Sequence, residues 1–123
     1  MSTLRVTTIT TPSGGQPTID GLAKAWVNFN GTGTVAIRAS LNVSSITDNG
    51  TGDYTVNFTN AMPDANYSVN GAVGYGSGTS ASTARWLTIS SNTVPTASTC
   101  RVSTAYANGG IDDCLNVCAS FFR

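Results

Sequence analysis

Histidine and glutamate are absent from this chain, and lysine and glutamine occur once each, as Lys24 and Gln16. Without imidazole there is no Ser-His or Cys-His nucleophile pair and no His-bound catalytic zinc. Acid–base chemistry would have to be drawn from six aspartates alone. Apart from Ala, the strong helix formers are scarce, which argues against a helical domain. Six cationic side chains balance six anionic ones, so no electrostatic footprint for nucleic acid or an anionic membrane is present. No apolar run approaches the ~18 residues of a membrane-spanning helix, and membrane insertion is not expected. The start, Met1-Ser2-Thr3-Leu4-Arg5, lacks the charged opening and apolar core of a secretion signal. Synthesis in the cytoplasm without export is the expectation.

Thr, Ser, Asn and Gly fill 57 of the 123 positions. Thr and Val suit a pleated, half-buried surface, and the length suits one domain. Residues 1–22 read as an extended arm, with Leu4, Val6 and Ile9 in a Thr-rich stretch before the turn cluster Pro12–Pro17. From residue 23 to residue 123, short alternating runs recur between turn signals. Ala25, Val27 and Phe29 share one face and Trp26 and Asn28 the other. Val35 and Ile37 return on one face. Tyr54, Val56 and Phe58 alternate with Thr55, Asn57 and Thr59, and Asn49-Gly50 before them predicts a tight hairpin turn. Further strands are expected over Tyr67–Val73, Arg85–Ser90 and Cys100–Tyr106. The last stretch, Leu115–Arg123, fits a strand with Leu115, Val117, Ala119 and Phe121 together. Ile111, Leu115, Cys118 and Phe122 also fit one face of a short helix. The strand is preferred, because seven or eight short strands at regular spacing specify an all-β antiparallel sandwich.

Few residues suggest chemistry, and each has a structural explanation. Asp48-Asn49-Gly50-Thr51-Gly52-Asp53 has alternating oxygen ligands, but it is too short for a helix–loop–helix calcium site and lacks the terminal Glu. A hairpin turn explains it. Asp112 and Asp113 are adjacent, so on a strand they diverge rather than form a glycosidase pair. No catalytic residue, cofactor or metal site is expected. Cys100, Cys114 and Cys118 are an odd set: buried thiols are the default in a reducing cytosol, and one bridge formed later is the alternative. Five Asn-x-Ser/Thr sequons follow from composition. Trp26 and Trp86 lie on the polar faces of their strands. Packing against the arm or a neighbouring subunit is one reading. The other is a carbohydrate platform, in which Tyr75, Trp86 and Tyr106 would join Asn70 and Asn108.

Residues 24–67, KAWVNFNGTGTVAIRASLNVSSITDNGTGDYTVNFTNAMPDANY, closely resemble a module of marine and freshwater bacteriophage proteins usually labelled tail fibre or virion structural protein. The opening MSTLRVTTITTPSGG resembles the short arm of its stand-alone members. The resemblance covers a little over half the chain. It implies a β-stranded component of the phage particle, assembled as a homotrimer and exposed to solvent.

The combined expectation is a non-enzymatic virion protein of the tail fibre class that assists attachment to the host. Its partners would be copies of itself, other tail or capsid proteins, and a host surface glycan. The rival expectation is a head fibre or decoration protein on the capsid lattice. In either case the arm, through Leu4, Val6 and Ile9, would add to a neighbour's sheet edge or dock on the particle.

Overall fold

The computed structural model describes residues 2–3, 21–76 and 84–123. The expected arm, with Leu4, Val6 and Ile9, and most of the loop after Tyr75 lie outside the described residues. Among those described there is no helix. The elements are β1 (Ala23–Asn30), β2 (Ala36–Leu41), β3 (Val43–Gly50), β4 (Asp53–Phe58), β5 (Ser68–Gly74), β6 (Arg85–Ile89), β7 (Thr99–Tyr106) and β8 (Asn116–Phe122).

They form two four-stranded sheets, sheet A in the order β2-β1-β8-β5 and sheet B in the order β3-β4-β7-β6. All neighbouring strands pair antiparallel. The first hairpin lies in sheet A and the second in sheet B. The chain crosses between them at Asn42, the one non-glycine residue with positive φ (55°) among the described residues. Asn tolerates this left-handed conformation better than most side chains. The Asn42 amide also satisfies the corner: Nδ2 donates to the carbonyls of Lys24 (3.2 Å) and Asn60 (3.1 Å), and Oδ1 accepts from Asn60 N at 2.8 Å. β8 then inserts between β1 and β5, and β7 between β4 and β6, so strands distant in sequence close the sandwich.

The core between the sheets follows the two-residue period of the strands. Ala25, Val27 and Phe29 of β1 and Val117, Ala119 and Phe121 of β8 face Tyr54, Val56 and Phe58 of β4 and Cys100 and Val102 of β7. Phe121 packs edge-to-face on Phe58 and Tyr67, with centroids 4.9 and 5.8 Å away. At the other end Phe29 meets Tyr54 at 5.1 Å. Such edge-to-face pairs stabilise beyond their buried area.

The last stretch is a strand, as preferred, but it begins at Asn116, and Leu115 precedes it on the surface. Asn49-Gly50 is not the centre of the second hairpin. Both residues end β3, and the reversal falls on Thr51-Gly52, with Gly50 and Gly52 at φ 127° and 62°. The shift has a tertiary cause. Gly52 is pressed against the connection before β8, where an added Cβ would come 2.5 Å from Asp112 N. Gly52 N donates to Asp113 Oδ1 at 2.8 Å, and its carbonyl accepts from Thr104 N at 2.9 Å.

Candidate interaction surfaces

The sheets leave two broad faces and two loop-lined ends, and the singled-out residues are distributed among them. Tyr75 and Tyr106 meet at one end, where the Arg85 guanidinium lies 4.6 and 4.7 Å from their ring centroids. Arg85 also pairs with Asp112 at 3.2 Å. A cation held between two rings and a carboxylate is a packing solution, and it occupies one face of each ring. Trp86, the next residue, points to the outer face of sheet B. Asn70 lies on the outer face of sheet A and Asn108 in the loop after β7. The expected set of Tyr75, Trp86, Tyr106, Asn70 and Asn108 is therefore not one surface. Alternation sends neighbours on one strand to opposite sides, and the two-sheet fold then separates Trp86 from Asn70.

The cysteines are all free, with Cys100 and Cys114 buried. Burial pushes both thiols up from their ordinary pKa, which keeps them protonated and poorly nucleophilic. No bridge joins Cys100, Cys114 and Cys118. Cys118 sits on the outer face of sheet A, whereas Cys100 faces the core from β7. Among the described residues no group of three Cys or Asp side chains is placed to hold a metal.

The described aspartates are committed to structure. Asp113 Oδ1 lies 2.9 Å from the buried Tyr54 hydroxyl, which is also 2.8 Å from the Gly31 carbonyl. Burial, then the hydrogen bond to Asp113, pushes the Tyr54 pKa well above its ordinary value. Asp53 accepts both arms of Arg101, at 2.8 Å from Nε and 2.6 Å from Nη2. That fork holds the Asp53 carboxyl below the usual carboxylate range. Asp64 is forked likewise by Arg123, at 2.8 and 2.7 Å. Asp112 and Asp113 diverge to Arg85 and Tyr54, consistent with their adjacency.

Sheet A presents the first candidate surface. Registers place Leu41, Trp26, Ser120 and Asn70 in one row across its outer face, and Ala39, Asn28, Cys118 and Ala72 in the next. Phe122 stands beyond them, paired with Ala23 and Ser68. The four strands of this sheet carry no acidic residue, and their charges are Lys24 and Arg38. Arg38 is tied to Asn28 Oδ1 (3.2 Å) and to the Leu115 carbonyl (2.7 Å). Large apolar side chains exposed on a flat, small-residue face with so little charge mark an interaction surface.

The outer face of sheet B is different. The row Asp53–Ser103–Thr88 crosses β4, β7 and β6, and the row Ala105–Trp86 lies beside it. The Asp53–Arg101 fork was missed in the sequence, where the two residues are far apart and only their opposite charges hint at pairing. No family model, curated protein or solved structure matches this chain.

Proposed function

We propose that this chain is a non-enzymatic virion structural protein of the tail fibre class, which associates as a homotrimer and assists attachment of the particle to its host. The observation that carries the reading is the outer face of sheet A. Trp26 and Leu41 are 36% and 44% exposed there and oppose one another in register. Burying this face against two further copies would remove apolar surface from water without stranding an anionic charge. Trp26 of β1 and Leu41 of β2 fall within the residues that resemble the phage module, whereas β5 and β8, which complete the same face, follow it. The composition agrees, because a chain without His or Glu has little to offer an acid–base mechanism.

Attachment to the particle is assigned to residues 1–22. The sandwich has four edge strands, β2, β5, β3 and β6. An extended arm adding to a neighbour's edge would gain main-chain hydrogen bonds and cover a strand that otherwise invites aggregation. Removing residues 1–22 is expected to abolish incorporation into particles while leaving a folded core. Immunogold labelling of intact particles tests the assignment directly. Label at the tail supports it. Label spread over the head would make the chain a capsid decoration protein, and unlabelled particles would overturn the virion reading.

A further inference from the structure

We infer that the outer face of sheet B holds a binding site for a neutral saccharide, built on Trp86 and the polar row beside it. This rests on the attachment reading and names the chemistry that the attached surface would recognise. A depression of about 260 Å³ opens on this face, lined by Asp53, Thr88, Asn92, Ser103, Ala105 and Ile111 among others. That is just below the ~300–1,000 Å³ of drug-sized pockets, which suits a single ring.

Three features select a sugar. Asp53, Ser103 and Thr88 oppose one another on three adjacent strands, so the row extends about 10 Å at ordinary strand spacing. It offers acceptors and hydroxyls in the pattern that vicinal sugar hydroxyls need. The Ser103 residue is 7% exposed, and its hydroxyl has no hydrogen-bond partner among the described residues. Trp86 is 46% exposed and stands opposite Ala105, which lines the depression. A small residue beside an exposed indole leaves the ring face open, and such a face packs on sugar C–H groups while the indole N–H donates a hydrogen bond. Ile89 and Ile111, both exposed at the depression, add apolar surface.

Charge selects neutrality. The Asp53 carboxylate and Arg101 guanidinium cancel one another through two short hydrogen bonds. An anionic ligand would have to displace Asp53 from Arg101, and a cationic one would have to displace Arg101 from Asp53. A neutral polyol needs neither, because each carboxylate oxygen keeps a lone pair free after the fork is made.

The test is titration of the isotopically labelled full chain with free glucose, galactose, mannose and N-acetylglucosamine in turn, followed by amide and indole NMR. The chain has two tryptophans, so the Trp26 indole is an internal control on the opposite sheet. At least one sugar should produce saturable shifts at the Trp86 indole and at the Ser103 and Ala105 amides, leaving Trp26 unmoved. Ser103→Ala should then weaken binding about fivefold, the ordinary worth of one hydrogen bond, and Trp86→Ala should weaken it further with amide dispersion retained. Absence of saturable shifts at these positions for all four sugars overturns the site, as do shifts centred on Trp26. Immunogold separates this failure from failure of the function. Tail label with no sugar response removes the site alone, whereas head label removes the attachment reading whatever the titration gives.

Discussion

Phe121 and Phe122 provide a controlled comparison, because the same side chain occurs at adjacent positions on opposite sides of β8. Phe121 is fully buried between the sheets against Phe58 and Tyr67. Phe121→Ala removes a core ring and leaves a cavity, at a cost of about 3–5 kcal/mol. Against the ~5–15 kcal/mol that stabilises a typical domain, such a variant sits near the edge of folding. Phe122 is half-buried and belongs to the outer face of sheet A, opposite Ala23 and Ser68. Complete burial of a Phe side chain contributes ~1.5–3 kcal/mol, so Phe122→Ala should lower protomer stability by about 1 kcal/mol.

In the proposed trimer the remaining exposed half of Phe122 is desolvated in each of three subunits. The same arithmetic gives about 1 kcal/mol per subunit, which weakens the trimer association constant roughly a hundredfold. Sedimentation velocity over a dilution series reads the association, and urea unfolding of dilute protein reads the protomer. The two measurements must be kept apart, because assembly raises apparent stability in a concentration-dependent way. Phe122→Ala should shift the dilution midpoint strongly and the urea midpoint slightly, and Phe121→Ala should do the reverse. An unchanged dilution profile for Phe122→Ala, or a wild-type chain that sediments as a monomer throughout, would refute the assembly face. A cost below about 1 kcal/mol for Phe121→Ala would refute its place in the core.

Three further perturbations probe the sandwich itself. Gly71 of β5 faces Leu87 of β6 so closely that an added Cβ would lie 2.2 Å from Leu87 Cδ2 and 2.5 Å from the Cys118 carbonyl. Gly71→Ala should cost about 1–3 kcal/mol through overpacking, and pairing it with Leu87→Ala should recover about 1 kcal/mol in a double-mutant cycle read by urea unfolding. Tyr54 and Tyr67 have their pKa values raised above 10.0, chiefly by burial. The fold therefore binds these protons more tightly than the unfolded chain does. Their stabilisation is complete below pH 10 and declines above it, and Tyr54→Phe with Tyr67→Phe should flatten that decline in urea midpoints. Asp53, with its pKa lowered from 3.8 by Arg101, has the opposite sign. Its contribution is present above about pH 4 and is lost as the pH falls, so Asp53→Asn should lower stability at neutral pH and make the acid limb shallower.

The strands were legible because their period is local. Tyr54, Val56 and Phe58 alternate with polar residues whatever they pair with, and the buried face of β4 follows. Strand order was not legible. Nothing within the Asn116–Phe122 segment says that it will lie between β1 and β5, since that placement is settled by contacts distant in sequence. The surface set failed for the same reason. Tyr75 and Tyr106 are aromatics at strand ends, but Arg85 occupies the space between them. Trp86 faces outward, as strand alternation predicts, yet its companions Ser103 and Thr88 emerge only from the β6–β7 register. The Asn49-Gly50 turn was displaced because Gly52 is held by Asp113, some sixty residues away.

The two outer faces differ in the charge they carry, and this suggests a division of labour. Sheet A carries no carboxylate in its strands, and its Asn28 and Arg38 hydrogen-bond within the protomer. Closing it against other copies would cost little desolvation of charge. Sheet B carries Asp53 and Arg101 already paired, with the Ser103 hydroxyl unpartnered beside them. Covering that face with a flat apolar partner would strand the hydroxyl at a cost of about 1–3 kcal/mol, whereas a small hydroxylated ligand would satisfy it. Assembly through sheet A and recognition through sheet B is therefore the assignment that takes the least charge out of water. It also leaves the proposed saccharide site directed outward from the trimer, where a particle would meet its host.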